Sequence, residues 1–314
     1  MPVFPAPPAD RPFDVIGIGA TSVDVVYLLP ASPSLAASGA KMRISRHFVS
    51  CGGQVATALA TCARLGLRSK FVGVIGSDDN ANRIRRELED RGVDLTDVVI
   101  RDVPNQHAVI LVDEPSGERI VLWDRDDRLR LREGELPAAA IASARVVHVD
   151  DVDIDAAIRA ATLAREAGCV VTSDIDRVHE RTLELVRAVT FPMFDEHAPS
   201  ALTGIADPGQ ALRALRPWHD GILCVTLGIQ GAMALEGDRL YHAPAFAVHA
   251  VDTTGAGDVF RGSFIYGYLQ GWPLEDTMRF ASAAAAVSCT RLGAMASVPS
   301  REEVELCVRV ADTS

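Results

Sequence analysis

Apolar positions along this chain fall into short continuous runs and longer helical stripes, and the two kinds of pattern alternate. "FDVIGIGATSVDVVYLL" (13–29) opens as an apolar run, breaks at its small residues and resumes with alternation, which predicts a strand, a break and a second strand. "GGQVATALATCARLGL" (52–67) predicts an Ala-rich helix ending at Gly66, and "KFVGVIGSDDNANRIRRELEDRGVDL" after it predicts a strand, a loop and a helix. "HAVILVDEPSGERIVLW" (107–123) reads as a hairpin with its turn at Pro115–Gly117. From "ARVVHVD" to "GAMALEGDRLYHAP" strands and helices take turns, and the final third is helical, in "DVFRGSFIYGYLQG" and "LEDTMRFASAAAAVSCTRLG". Such alternation predicts an α/β fold with a doubly wound, mostly parallel sheet flanked by helices. With no repeat and no linker, residues 1–314 are expected to form one domain. The strand-rich segments near 22–50 and 100–123 do not fit the βα repeat and are expected to form a small separate sheet, a lid.

Composition narrows the function. The 314 residues are 48% hydrophobic, enough for a large core, and carry a net charge of -11. No basic surplus is available to neutralise phosphates, so neither a nucleic acid nor a membrane is expected as partner. The six cysteines show no CxxC spacing and read as reduced, mostly buried thiols of a cytoplasmic protein. The Pro-rich start, "MPVFPAPPADRPFD", lacks the apolar centre of a signal peptide, and no apolar run reaches membrane-spanning length.

Two glycine-rich stretches invite a phosphate. "GIGATS" (17–22) lacks the third glycine of a dinucleotide fingerprint and continues into a strand where a helix is needed, and no GxxxxGK[ST] occurs. "DTTGAGD" (252–258) is different, because it lies between an apolar segment and a helix predicted to begin near Val259. Backbone amides at a helix start form an anion site, and Gly255, Ala256 and Gly257 have almost no side chain to keep a phosphate away. Asp258 beside that phosphate is a poor anion ligand but a suitable acceptor for the proton of an incoming hydroxyl. Together these describe phosphoryl transfer by positioning and electrostatics. Taken alone, the stretch also reads as an aspartate cap after a flexible loop.

The wider context contains more. "DTTGAGDVFRGSF" resembles the C-terminal signature of the ribokinase-like (PfkB) carbohydrate kinases, and "GGQVATALATCARLGLRSKFVGVIGSD" resembles their N-terminal signature. "VTLGIQGAM" is similar to their nucleotide-side strand and turn, and "CTRLGAMASVPSREE" to the loop that closes their site. The resemblance implies Asp258 as catalytic base, with Gly255, Ala256 and Gly257 as the anion hole. It implies sugar contacts at Asp24, Gly52, Gly53, Thr57 and Asp150, and ATP contacts at Thr226, Gly228, Gly231 and Ser282. It further implies Mg²⁺ and, since many members use one beside the anion hole, a monovalent cation, here K⁺, held by Asp252, Thr254, Ser288, Arg291, Gly293 and Ser297 through carbonyls or side chains.

Three of these assignments have support from the residues themselves. Asp24 is a lone acid on an apolar alternating strand, where a carboxylate needs a partner, although a strand end in water would serve equally. Asp150 follows an apolar strand, the place where open α/β sheets put ligands, and also reads as a solvated loop acid. Gly52 and Gly53 fit either a close-lying sugar or a plain helix start.

The chain also departs from the family. Thr57 stands where a sugar-contacting asparagine is usual, and it offers one hydroxyl in place of a two-sided amide. The metal-associated NxxE motif maps onto "DEHA" (195–198), leaving Asp195 or Glu196 to hold Mg²⁺ through waters. In "WDRDDRLRLR" (123–132), Arg125 or Arg128 would grip an anionic sugar substituent, or the segment is a solvated charged loop, and Lys41 and Arg43 share that ambiguity. The variants "GGQVAT" and "MRFASAAAAVSCTRLGAMASVPS" look closest to the ketohexokinase and sulfofructose kinase side, which implies a ketose or modified ketose phosphorylated at a primary hydroxyl. Two other readings stand beside this one. A nucleoside-type kinase would stack its base on Phe48 and Trp123, in a chain only 5% aromatic, and a non-catalytic sugar or nucleotide sensor would not need the base. A lid with open strand edges is expected to pair with a second copy as a homodimer.

Overall fold

The computed structural model describes residues 4–33, 41–115 and 119–312. In chain order the strands and helices of the first half are β1 (Phe13–Ile18), β2 (Ser22–Leu29), β3 (Arg46–Gly52), α1 (Gln54–Arg64), β4 (Ser69–Val72), β5 (Val74–Ile75), α2 (Asp79–Asp90), β6 (Val99–Ile100), β7 (His107–Asp113) and β8 (Arg119–Asp124). The alternation then continues through α3 (Ala138–Ile141), β9 (Ala144–Asp150), α4 (Ile154–Glu166), β10 (Val170–Asp174), α5 (Thr182–Ala188), β11 (Met193–Phe194), α6 (Ala198–Thr203) and α7 (Pro208–Ala214). β12 (Leu223–Thr226), β13 (Ala232–Glu236) and β14 (Arg239–Ala243) lead into α8 (Ala256–Leu269), α9 (Leu274–Ser288) and α10 (Arg301–Asp312).

β4, β1, β9 and β10 pair in parallel, and isolated parallel bridges at Thr172–Phe191 and Ile175–Phe194 carry the sheet on to β11 and β12. β13 and β14 close that edge antiparallel. Alternate residues of each central strand feed opposite cores. Val15 and Val146 pack with α1, α8 and α9, whereas Ile16, Ile18, Val147 and Val149 pack with α4, α5 and α7. Burial on both faces explains why these strands read as apolar runs rather than as alternation. α4 buries one stripe, Ala156, Ala157, Ala160, Ala161 and Ala164, while every residue of α8 from Val259 to Leu269 is buried.

β3, β2, β7 and β8 form the separate sheet expected of the two misfit segments, with β2–β7 parallel and the outer pairs antiparallel. The 107–123 hairpin pairs as predicted, and residues 116–118 of its turn lie outside the described residues, as do residues 34–40 of the lid segment. β8 leaves Ile120, Leu122 and Trp123 exposed along the open edge on which pairing with a second copy was expected. The thiols are all free, four of them buried and those of Cys289 and Cys307 half-buried. Among the described residues no helix is long and apolar enough to cross a membrane.

Candidate active site

α8 begins at Ala256, three residues earlier than its apolar pattern indicates, because Gly255 takes a left-handed φ of 79° and caps it. The helix start therefore falls inside "GAGD". Ala256 donates its N–H to the Thr253 carbonyl at 3.2 Å, so that amide is turned inward. Among the described residues the amides of Gly255, Gly257 and Asp258 find no acceptor, and these are the donors open to an anion at the helix N-terminus. A side chain at Gly255 would place its Cβ 2.7 Å from the Ala294 Cβ and 3.4 Å from the Thr57 Cγ2. Gly255, Ala294 and Thr57 are thus packed together, and Thr57 is fully buried with its hydroxyl unpartnered.

Asp258 is half-buried in the first turn of α8. Burial pushes its carboxyl well above the usual carboxylate range, reinforced by the negative charge of Asp174, with Arg261 opposing. Asp174, the last residue of β10, lies 2.8 Å from Arg261. Sequence reasoning missed both. Each carried a signal: Asp174 ends a strand as Asp150 does, and Arg261 is the lone basic residue of α8.

On the lid side, Asp24 sits in β2 opposite Ser50 of β3 and is 9% exposed. It accepts from the Ser22 hydroxyl at 2.8 Å, and a Cβ at Gly52 would lie 3.1 Å from its Oδ2. Burial raises its pKa, with a smaller push from Asp252. Gly52 also faces Ala294, so Asp24, Gly52, Thr57 and Gly255 border one region. Gly53 answers to packing: its φ is 102° and a Cβ would meet the Ala20 carbonyl at 2.7 Å. Asp150 is 1% exposed, and its oxygens accept from the amides of Ala20 (2.8 Å) and Val152 (3.1 Å). The Ala20 bond ties the β1–β2 turn to the end of β9, the Val152 bond closes a local turn after that strand, and burial raises the Asp150 pKa well above the usual range.

Asp252 joins two loops, accepting from Thr254 N at 2.9 Å and Gly293 N at 2.8 Å. Ser50 extends the junction, since its hydroxyl accepts from Ala294 N at 3.1 Å. Ser288 and Ser297 donate their hydroxyls to the carbonyls of Ala285 and Ala294, and the Arg291 side chain pairs with Glu303, which leaves the Arg291 carbonyl as its only donor for a cation. The predicted cation residues are therefore clustered, with their side chains largely engaged. No group of three or more His, Cys, Asp or Glu side chains able to hold a metal occurs among the described residues.

Thr226 ends β12, and Gly228 and Gly231 bound the short turn after it with φ of 53° and 90°. A Cβ at Gly228 would lie 3.8 Å from Glu196 Oε2, which puts an exposed carboxylate beside this turn. Asp195 is engaged just before α6, accepting from His197 N at 3.1 Å and Ala198 N at 2.8 Å. Ser282 lies on α9, buried, with its hydroxyl unpartnered.

The cationic lid candidates are accounted for differently. Arg128 pairs with Asp126 at the surface, and Lys41 and Arg43 are exposed. Arg125 is bidentate to Asp153, at 3.0 and 2.7 Å, and Asp153 Oδ2 also holds Leu131 N at 2.9 Å. These contacts make Arg125 a structural residue. Arg125→Met leaves Asp153 buried without its counter-charge and is expected to cost about 3–5 kcal/mol of stability in chemical denaturation; unchanged stability with weakened substrate binding would return Arg125 to the sugar. Phe48 packs against the lid's small apolar cluster, while Trp123 stacks on Arg177, whose guanidinium carbon lies 5.1 Å from the ring centroid.

A parallel α/β sheet with a mixed-sheet lid, and an acid at a glycine-capped helix N-terminus, suits a site that holds a phosphoryl group beside a proton acceptor. The sequence profile of the pfkB family carbohydrate kinases matches residues 14–301, and the chain belongs to that family. It is 28% identical to a ribokinase of Haemophilus influenzae, over 91% of this chain and 95% of that protein. It is 30% identical to an ATP-dependent ribose-1-phosphate kinase of Halopiger xanaduensis, over 92% of this chain and 96% of that protein. The fold matches Arabidopsis thaliana ribokinase complexed with ribose and ATP, with a TM-score of 0.81 at 24% identity over 97% of this chain and 99% of that one.

Proposed function

We propose that this kinase transfers the γ-phosphoryl group of ATP to a primary hydroxyl of a small sugar, a ketose or modified ketose above all. The observation that carries the reading is Asp258 in the first turn of α8, beside amides that have no acceptor of their own. The acceptor sugar lies between Asp24, Gly52 and Asp258, and the nucleotide lies along the Thr226–Gly231 turn toward Ser282. Asp258 takes the hydroxyl proton as the new O–P bond forms and the bond to ADP breaks. The amides of Gly255 and Gly257 hold the transferring group, and the lid excludes water, the competing acceptor. Glu196, whose carboxylate lies beside Gly228, would hold the Mg²⁺ that arrives with ATP, and the ion would neutralise phosphate charge. A K⁺ ion beside the anion hole would be held by backbone carbonyls around the Asp252 junction and would offset phosphate charge.

The test is ADP release with MgATP, with and without K⁺, across ketohexoses, pentoses, anionic sugars and nucleosides. Fast turnover with one ketose is the expected result. Turnover with nucleosides alone would move the assignment to the nucleoside branch, represented by a nucleoside kinase of Methanothermobacter thermautotrophicus that is 28% identical over 92% of this chain and 94% of that protein. ATP binding without turnover on any acceptor would favour the sensor.

A further inference from the structure

Beneath Asp258 lies an ion pair that the transfer reaction as described does not use. Arg261 is 3% exposed in the middle of α8, and its partner Asp174 is buried to the same degree. The guanidinium is pressed against the loop above it: a Cβ at Gly257 would fall 2.7 Å from Arg261 Nη1. Among the described residues its Nε and Nη2 have no hydrogen-bond partner of acceptable geometry, so packing and the charge of Asp174 hold it in place. A buried pair of this kind adds little to stability over apolar residues of the same size. Its position suits a different use.

The charge of Asp174 bears on Asp258, and Arg261, one turn further along α8 from Asp258, pairs with Asp174 at 2.8 Å. Two carboxyl groups that repel each other's charge do not ionise together readily. Burial and the charge of Asp174 hold the proton on Asp258, Arg261 opposes them, and the base must lose that proton before it can accept another. Asp176, in the loop after β10, adds negative charge to both members, and Asp151 adds more to Asp174. His148 lies behind the pair, hydrogen-bonded to the Thr172 hydroxyl; burial and Arg261 push it down to about 3, so it brings no second cation.

We propose that Asp174 and Arg261 are positioning residues of the transfer reaction: Arg261, wedged under Gly257, fixes Asp174 against Asp258, and the pair thereby sets the pH above which Asp258 is free to take the acceptor's proton. The proposal rests on Asp258 being the base. In the step itself the acceptor O–H bond breaks, its proton moves to the carboxylate of Asp258, and it leaves to solvent through the cleft that half-exposes that residue.

The two neighbours act with opposite signs. Removing the charge of Asp174 relieves the repulsion on ionised Asp258, so its proton leaves at lower pH. Removing Arg261 strips away the compensating charge, so the proton is held to higher pH. The experiment is a ¹³C NMR titration of the full chain labelled at the aspartate carboxyl carbons, with Asp258 assigned by the resonance lost in Asp258→Asn. Asp174→Asn is expected to move the Asp258 titration down by at least about one pH unit and Arg261→Met to move it up by about as much, whereas Arg261→Lys stays near the parent. No movement in Asp174→Asn, or movement in the same direction in both charge-removing variants, overturns the proposal. Should Arg261→Met fail to fold, Asp174→Asn and Arg261→Lys decide it. The titration reads no catalysis: if it does not move while Asp258→Asn abolishes transfer, this inference alone fails. If it moves while Asp258→Asn transfers at the parent rate, the base assignment fails and the inference with it.

Discussion

Asp258→Asn is expected to lower kcat by about 10²–10⁴-fold, the range for losing a general base, with little change in the KM for ATP. The substitution keeps the side chain's shape and removes its capacity to take a proton. The pH dependence of the parent should follow from the same group. Its folded-state pKa is raised by burial and by Asp174, so turnover is lost as pH falls through a value above the usual carboxylate range. Below that value Asp258 carries its proton and cannot accept another. A parent enzyme whose acidic limb lies in the ordinary carboxylate range, or an Asp258→Asn variant with undiminished kcat, would contradict the assignment.

Gly255→Val is expected to be nearly as damaging by a different route. The residue must adopt a φ of 79°, where a β-branched side chain is strained, and its Cβ would stand 2.7 Å from the Ala294 Cβ and 3.0 Å from the Ala294 Cα. The strain falls on the turn that aims the Gly255 and Gly257 amides. Loss of oriented donors of this kind lowers kcat by about 10²–10³-fold. Far-UV circular dichroism should remain that of the parent, because the sheet and both cores lie elsewhere. Turnover near the parent's would mean that these amides do not hold the transferring group.

The sheet was legible from the chain because its strands are buried on both faces and separated by helical stripes, as in Val146–Val149 followed by the alanine stripe of α4. The lid was legible as a misfit, two strand-rich segments that belonged to no βα unit. The start of α8 was displaced, since the apolar pattern begins at Val259 while a left-handed glycine starts the helix at Ala256. Asp258 and its glycines could be read because four small or acidic residues in a row have few other uses. Asp150 reads as a ligand contact by its place after a strand, and that its carboxylate also holds the Ala20 amide depends on the β1–β2 turn, which is remote in sequence. Arg125 is a similar case: its partner, Asp153, is 28 residues away, and only the fold brings them together. Asp174 and Arg261 are 87 positions apart by their numbers and meet only where β10 ends under α8.

The most direct test of the central claim is ³¹P NMR of the reaction with MgATP and the acceptor that turns over fastest, for the parent and for Asp258→Asn. Transfer to a primary hydroxyl predicts loss of the γ-phosphate signal, formation of ADP, and a new ester resonance split into a triplet by the adjacent methylene protons, all suppressed in the variant. An ester doublet, release of inorganic phosphate alone, or an ester formed equally well by Asp258→Asn would contradict it.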